Sequence, residues 1–336
     1  MKKPSVIVII ILVISTLLTI TGITGCKKNK NPIKYPMGTF PDSVINIDGL
    51  NSQFDDYNSN LYLLEGIIPI IFSSNRGSSG GKFDLVQGKI SFQFDQTTGA
   101  FDILGEITND SFYSALLSKA NTSGDDLGPY SLFSSADGYE YFIVASQNAG
   151  GLLDLYYLKH LPYFGSNIPD VSGPYPVKLL NSFADDAYVS FGSKEDSVYF
   201  TSNRDANFDI YFHKRPAGTA LDTWFNQDFK ASTKVDSVNS SYDDDKCPFV
   251  YKNIMVFASD RPGGLGGYDL YYSLFKNGKW NSPVNFGPNI NSASDEYRPF
   301  LGNHSDFTNN YMVFSSNRPG GKGGFDLYFT GFNFTK

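Results

Sequence analysis

A sequence unit that recurs five times is the feature that most limits how this chain can fold. Each copy contains an apolar segment, a short polar stretch, a loop with small or polar residues and an aspartate followed by an apolar residue. The five aspartates are Asp84, Asp154, Asp209, Asp269 and Asp326. Because a short repeat cannot bury its apolar face alone, neighbouring copies must pack against one another.

An acidic pair precedes each of these aspartates, so two separate motifs occur in the same order in every copy. The second members of the pairs are Asp56, Asp126, Asp186, Asp245 and Glu296. Four copies also carry an arginine, namely Arg76, Arg204, Arg261 and Arg318, whereas the second copy reads Ser146-Gln147-Asn148 and has none. A guanidinium group can hold a carboxylate through two hydrogen bonds. We therefore expect a structural network that ties the copies together. A ring of acids that binds a cation or a basic ligand is the alternative.

Each copy predicts four short antiparallel strands, since apolar and aromatic segments alternate with Gly, Asn, Asp and Pro and no long helical period occurs. Four-stranded units arranged around an axis form a β-propeller. The sequence therefore predicts an all-β fold, a five-bladed propeller in which residues 40–47 complete the last blade and remove its exposed edge. The first copy is the longest, and a hairpin at residues 86–104 and a loop at residues 111–123 account for its length. A sixth blade there is the alternative.

Two copies carry the repeat in its most specific form. Residues 259–271 and 316–328 both read Ser-(Asn/Asp)-Arg-Pro-Gly-Gly-x-Gly-Gly-(Phe/Tyr)-Asp-Leu-Tyr. This motif resembles the WD-like repeat of Tol-B-type propellers, and the resemblance covers about residues 40–330. It implies a propeller repeat lipoprotein of the kind found in Bacteroidetes-like envelopes.

The N-terminal 25 residues resemble the signal peptide of a bacterial lipoprotein. Two lysines precede an apolar run at residues 6–20, which is shorter than the roughly 20 residues of a membrane-spanning helix. Ile23-Thr24-Gly25-Cys26 follows, in the form of a lipobox. The resemblance implies that residues 1–25 are removed and that Cys26 is acylated.

This processing divides the chain into a lipidated tether, residues 26–38, and a propeller, residues 39–336. Several acyl chains on Cys26 would hold the protein stably on a membrane, where one chain would be marginal. By the same resemblance, Lys27 implies the outer membrane. The absence of an acidic export tag after Cys26 favours the periplasmic face over the cell surface.

Charge and cysteine content exclude several classes of protein. A formal net charge of −7 argues against nucleic acid, which binds clustered Lys and Arg. Cys247 is the second of two cysteines, so no disulfide can form within the chain if Cys26 carries lipid. No cofactor is predicted. The densest acidic spot, residues 243–245, offers the oxygen ligands that Ca²⁺ prefers, although its spacing matches no defined calcium loop.

The function predicted from this pattern is a non-catalytic binding or scaffolding module that recognises a protein partner in the envelope. Catalytic carboxylates are unique residues with different environments, whereas the obvious acids here recur in every copy. Variable loops on the face opposite the acids are the predicted contact region, with Tyr163, Phe164 and Trp224 as candidates. A carbohydrate-binding or glycoside-hydrolysing propeller is the alternative, and a central pocket with two carboxylates outside the repeat would favour it.

Overall fold

The computed structural model describes residues 32–61, 67–165 and 167–333. The predicted signal peptide and Cys26 lie outside these residues, so cleavage, acylation and membrane location stay predictions from the sequence. Within the described part of the chain, no helix is long and apolar enough to cross a membrane.

Five antiparallel sheets, each of them one blade, build the fold. The N-terminal strand is β1 (Ile45–Asn46). The first blade contains β2 (Asp56–Leu61), β3 (Ile67–Ser74), β4 (Asp84–Phe94) and β5 (Phe101–Ile107). The second blade contains β6 (Asp126–Ser134), β7 (Tyr139–Gln147), β8 (Leu153–His160) and β9 (Ser172–Pro176). The third blade contains β10 (Asp186–Phe191), β11 (Ser197–Asp205), β12 (Asn207–Lys214) and β13 (Thr233–Lys234).

The last two blades vary the pattern at their outer edges. The fourth blade contains β14 (Asp245–Tyr251), β15 (Ile254–Ser259), β16 (Asp269–Lys276), β17 (Lys279–Trp280) and β18 (Val284–Asn285), and the two short strands both pair with β16. The fifth blade contains β19 (Glu296–Asn303), β20 (Asn310–Ser316) and β21 (Asp326–Phe332). The strands β2, β6, β10, β14 and β19 pack against one another in a closed ring. The five-bladed prediction is confirmed, and no sixth sheet occurs in residues 32–61, 67–165 and 167–333.

The N-terminal strand closes the ring, as predicted. Strand β1 pairs with β21 at the outer edge of the fifth blade. Before it, Phe40 is buried and stacks on Phe307 with ring centroids 3.8 Å apart. The backbone of Phe40 forms two hydrogen bonds with the Asn309 side chain, of 2.8 and 2.9 Å. Both ends of the chain therefore belong to one sheet.

A β-bulge recurs in each of the five inner strands and turns one residue per blade towards the axis. The five bulge residues, with φ between 44° and 58°, are Asn58, Gly128, Tyr188, Cys247 and Arg298. At Gly128 a Cβ atom would lie 2.4 Å from the Tyr188 ring, so the neighbouring aromatic requires glycine there. The Arg298 guanidinium lies 5.6 Å from the centre of the same ring. Burial raises the pKa of the Cys247 thiol to about 12. These side chains fill the centre of the ring.

One helix replaces the loop that was predicted at residues 111–123. Helix α1 (Ser111–Ala120) begins after Asp110, whose carboxylate accepts hydrogen bonds from the backbone N–H groups of Phe112 and Tyr113. It buries Phe112, Leu116, Leu117 and Ala120, which recur at the spacing of one helical face. The prediction of a loop was wrong. The helical spacing of apolar residues occurs in this one short segment and is too brief to stand out in the sequence. A second helix, α2 (Leu221–Phe225), precedes β13.

An asparagine before each acidic pair fastens every blade to the one before it. The five residues are Asn51, Asn121, Asn181, Asn239 and Asn291. Each side-chain amide forms two hydrogen bonds, one with the backbone N–H and one with the carbonyl oxygen of a single residue in the third strand of the preceding blade. Asn51 does so with Leu327, which joins the start of the first blade to the fifth. This repeated contact sets the angle between blades.

Candidate functional site

The acids and arginines of the repeat meet within each blade. Asp56 accepts hydrogen bonds from Arg76 at 2.5 Å, from the Ser74 hydroxyl and from the backbone N–H of Ser52 at 2.6 Å. The same arrangement joins Asp186 to Arg204, Asp245 to Arg261 and Glu296 to Arg318. All four carboxylates are fully buried. They are neutralised by the protein itself and occupy what is called here the acidic face of the disc.

The second blade lacks an arginine and keeps the buried acid. Asp126 accepts hydrogen bonds from the backbone N–H of Thr122 at 2.7 Å and from the hydroxyl groups of Thr122 and Ser146. Burial raises its pKa, and the same cause raises the pKa of Asp245 and Glu296. Equivalent backbone and hydroxyl donors hold Asp56, and in the second blade they hold the buried acid without a guanidinium group.

The first acids of the pairs contact the neighbouring blade instead. Asp55 accepts from the backbone N–H of Phe325, and Asp295 from that of Tyr268. The corresponding acceptors in the other blades are Asp125, Asp185 and Asp244. Each of these amides belongs to the residue directly before one of the five repeat aspartates. The two acids of a pair therefore have different tasks, one within the blade and one between blades.

The aspartates that begin the third strands stabilise the loops before them. Asp269 accepts from the backbone N–H groups of Leu265 and Gly266, and Asp326 from those of Lys322 and Gly323. In the earlier copies the partners are side chains: Lys82 for Asp84, Asn148 for Asp154 and Lys234 for Asp209. The repeat acids are thus all engaged by neighbouring groups of the chain.

The calcium position suggested at residues 243–245 is occupied by the protein's own groups. Asp245 pairs with Arg261, and Asp244 pairs with Lys246 at 2.7 Å and accepts from the Tyr268 hydroxyl. In the part of the chain that the structure describes, no group of three or more His, Cys, Asp or Glu side chains is placed to hold a metal ion.

A pocket of about 540 Å³ opens at the axis on the opposite face, which carries the loops between first and second strands and is called here the hairpin face. Its walls include one residue from each inner strand: Leu61, Tyr130, Phe191, Phe249 and Phe300. Phe133, which is 50% exposed, and Tyr251 also line it. We call this cavity the axial pocket. Concave sites with aromatic walls and few polar groups are typical of small-ligand binding.

Two carboxylates that do not belong to the repeat line the axial pocket. Glu140 is the second residue of β7, and burial raises the pKa of its carboxyl group. The nearest imidazole, His160, lies 3.6 Å from Glu140 but is buried, which lowers the pKa of His160. Its Nδ1 lies 2.8 Å from the carbonyl oxygen of Leu161 and donates to it. Among the residues that the structure describes, no Lys or Arg forms an ion pair with Glu140, so no fixed cation opposes the rise in its pKa.

Glu195 has a different environment, at the hairpin between β10 and β11. Its carboxylate accepts from the backbone N–H of Ser135 at 3.3 Å and lies 3.8 Å from the Arg215 guanidinium. These neighbours complement a negative charge. General acid catalysis requires one carboxyl group that keeps its proton and a second one that carries a negative charge, so the two need different environments at the same pocket.

The candidate loop residues do not converge on the axial pocket. Trp224 is 1% exposed and packs against Phe225, so the structure gives it a role in the core. Tyr163 stacks on Phe112 of α1 with ring centroids 4.4 Å apart. Phe164 is 87% exposed beside them, and its role as a contact residue stays a prediction.

Glu140 and Glu195 were not predicted as site residues because both lie outside the repeat. The chain contains five glutamates, and these two lie near the hairpins that follow inner strands. Their separation along the chain hides the fact that both reach the axial mouth. Scarcity of glutamate outside the repeat was the available signal.

No family model matches the sequence, and no curated protein is similar to it. Several solved structures share the fold. A thermostable family-43 glycoside hydrolase has a TM-score of 0.55 and 12% identity, with 89% of this chain and 94% of that chain covered. An endo-arabinase from Bacteroides thetaiotaomicron has a TM-score of 0.53 and 11% identity, covering 89% and 98%. An exo-β-1,3-galactanase from Phanerochaete chrysosporium, with β-1,3-galactotriose, has a TM-score of 0.54 and 13% identity, covering 87% and 65%.

These neighbours correct three expectations. The relatives in fold are glycoside hydrolases, so the assignment to Tol-B-type repeat lipoproteins is wrong. The Gly-rich motif that suggested it is explained by the loop and network geometry of a blade, which does not identify a family. The expectations of a non-catalytic protein-binding module and of no enzyme are also set aside. At this level of identity the likeness shows the five-bladed fold that these hydrolases and the present chain have in common.

Proposed function

We propose that this protein binds a saccharide in the axial pocket and hydrolyses a glycosidic bond there. The observation that carries the proposal is the coincidence, at one axial cavity, of aromatic walls with Glu140 and Glu195, two carboxylates outside the repeat. Glycoside hydrolysis is performed by two such groups and needs no cofactor. The fold shared with glycoside hydrolases supports this reading.

The walls of the pocket suit a sugar ring. Phe249 and Phe300 lie with ring centroids 4.3 Å apart at its base, and Tyr130 stacks with Phe191 at 6.0 Å. Aromatic rings give a large apolar contact area. The exposed face of Phe133 is free to extend this surface towards solvent.

The two carboxyl groups take separate roles in the proposal. Glu140, whose pKa is raised by burial, protonates the leaving oxygen. Glu195, beside Ser135 and Arg215, acts in the charged form on the other side of the bond. The reaction is then completed by water, and the separation of the two groups in the sugar complex sets whether configuration is kept or inverted.

The change Glu140→Gln tests this assignment. We expect purified protein to cleave arabino-oligosaccharides or β-1,3-galactotriose, and Glu140→Gln to lower kcat by roughly 10²–10⁴-fold because the proton donor is lost. Calorimetry should show that the variant still binds the same saccharide. Glu106→Gln is the matched control, since Glu106 is exposed on β5 and paired with Lys89. A Glu140→Gln variant as active as the parent, or no binding of any saccharide tested, would refute the proposal.

The pH dependence follows from the same group. A proton donor works only when protonated, so kcat should fall as pH rises through the pKa of Glu140. Because burial raises this pKa, the fall should occur at higher pH than for an exposed glutamate. The measurement is kcat against pH for parent and Glu106→Gln protein, which should coincide. An alkaline limb at the ordinary pKa of glutamate would contradict the role given to Glu140.

A further inference from the structure

A second cavity lies on the third and fourth blades, next to the axial pocket. It has a volume of about 490 Å³ and is called here the lysine groove. Its aromatic floor is formed by Tyr199, Phe212 and Trp280. The Trp280 Nε1–H donates to the Tyr199 hydroxyl at 3.2 Å, which fixes the two rings edge to face. The floor is therefore rigid and apolar.

The rim of this groove is positively charged although the chain is acidic overall. Five lysines line it, namely Lys194, Lys214, Lys234, Lys252 and Lys279, against two aspartates, Asp196 and Asp236. Lys234 is already paired with Asp209 at 2.6 Å. The other four lysines are exposed, and none forms an ion pair with a carboxylate of the residues that the structure describes. In a chain with a net charge of −7, unpaired cations gathered around one cavity indicate an anionic ligand.

The lysine groove adjoins the axial pocket. Gly192, Ser193, Val250 and Lys252 line both cavities. The Ser193 hydroxyl donates to the carbonyl oxygen of Lys252 at 2.6 Å, which joins the β10–β11 hairpin to the β14–β15 hairpin between the cavities. A chain-like ligand seated at the axis would leave it across these two hairpins. An extended saccharide can therefore occupy both cavities at once.

We propose that the lysine groove binds carboxylate groups of an acidic saccharide, such as a uronic acid oligomer, whose adjoining residues occupy the axial pocket. The inference rests on the proposed function and adds the class of substrate. The lysine ammonium groups supply charge, and the aromatic floor supplies apolar contact for the sugar rings. Saccharides without acidic groups would use the axial pocket alone.

Calorimetric titration with trigalacturonate and with its methyl ester tests this inference, since the two ligands differ in charge. The parent protein should bind trigalacturonate more tightly. Lys214→Gln together with Lys279→Gln should weaken trigalacturonate binding roughly ten-fold, which corresponds to the loss of two exposed charge contacts, and leave binding of the ester unchanged. Lys178→Gln, at an exposed lysine outside the groove, is the control. Added NaCl should remove the preference.

The outcomes separate this inference from the proposed function. Equal affinity for the acid and its ester, or an equal effect of Lys178→Gln, would overturn the lysine groove and leave saccharide binding intact. Inorganic phosphate that displaces trigalacturonate at equal concentration would also overturn it, because the groove would then be a site for small anions. Failure of the acid, the ester and neutral oligosaccharides alike to bind would count against the proposed function.

Discussion

Deletion of residues 38–48 should prevent the protein from forming a soluble monomer. The deletion removes Phe40, which is buried against Phe307, and β1, which covers β21. The fifth blade would then expose a strand edge, and exposed edges pair with other chains. Truncation of a buried phenylalanine alone costs about 3–5 kcal/mol, which is a large part of the stability of a typical domain.

Size-exclusion chromatography and thermal unfolding measure this effect. Deletion of residues 32–37 is the matched control, because it shortens the same segment and leaves the Phe40 contacts and β1 in place. We expect aggregates or no soluble product from the first deletion and a monomer from the second. A soluble 38–48 deletion with unchanged melting would show that the ring does not depend on its N-terminal strand.

Arg204→Met should lower the free energy of unfolding by about 3–5 kcal/mol, the cost of leaving a buried carboxylate without its partner. Asp186 is fully buried and pairs with Arg204, whose guanidinium also donates to the carbonyl oxygen of Leu180 at 2.9 Å. Methionine keeps the apolar contact with Phe200 but offers no hydrogen bond. Urea unfolding measures the change.

The second blade supplies the control for this prediction. Asn148 stands where the other blades have arginine. Its side chain donates to Asp154, and Asp126 is held by hydroxyl and backbone donors. Gln147 precedes it, is exposed and donates to the carbonyl oxygen of Gly151, so Gln147→Met should change stability by no more than about 0.5 kcal/mol. The double variant Asp186→Asn, Arg204→Met should be less destabilised than Arg204→Met, since no buried charge remains. Equal losses in Arg204→Met and Gln147→Met protein would contradict a buried ion pair as the support of each blade.

The architecture could be predicted because the same sequence unit recurs five times. A single copy does not identify the fold, but the shared order of acidic pair, arginine and aspartate defines a blade. The segment before Asp56 has no blade of its own, which predicts that it completes the last blade. Helix α1 occurs once. Its sequence pattern, a capping Asp110 followed by Phe112 and Leu116 on one face, covers no more residues than a strand. The pattern was therefore interpreted as a loop.

The candidate site could not be predicted in the same way. Glu140 and Glu195 share no motif, and only the closed ring of inner strands brings their hairpins to one axial mouth. The aromatic walls likewise come from different blades, Tyr130 from the second and Phe300 from the fifth. The acids of the repeat lie on the other face of the disc, where Asp186 and its equivalents are buried and paired with arginines. Which hairpins meet at the axis depends on ring closure, and no local sequence pattern reports it.

The most direct test of a saccharide site at the axis is a titration of isotope-labelled protein with arabino-oligosaccharides, followed by amide chemical shifts. Binding in the axial pocket predicts that the largest shifts fall on Phe133, Gly192 and Tyr251, while Asp56 and Asp186 on the acidic face stay unchanged. Shifts confined to the acidic face, with none at the axial mouth, would contradict it.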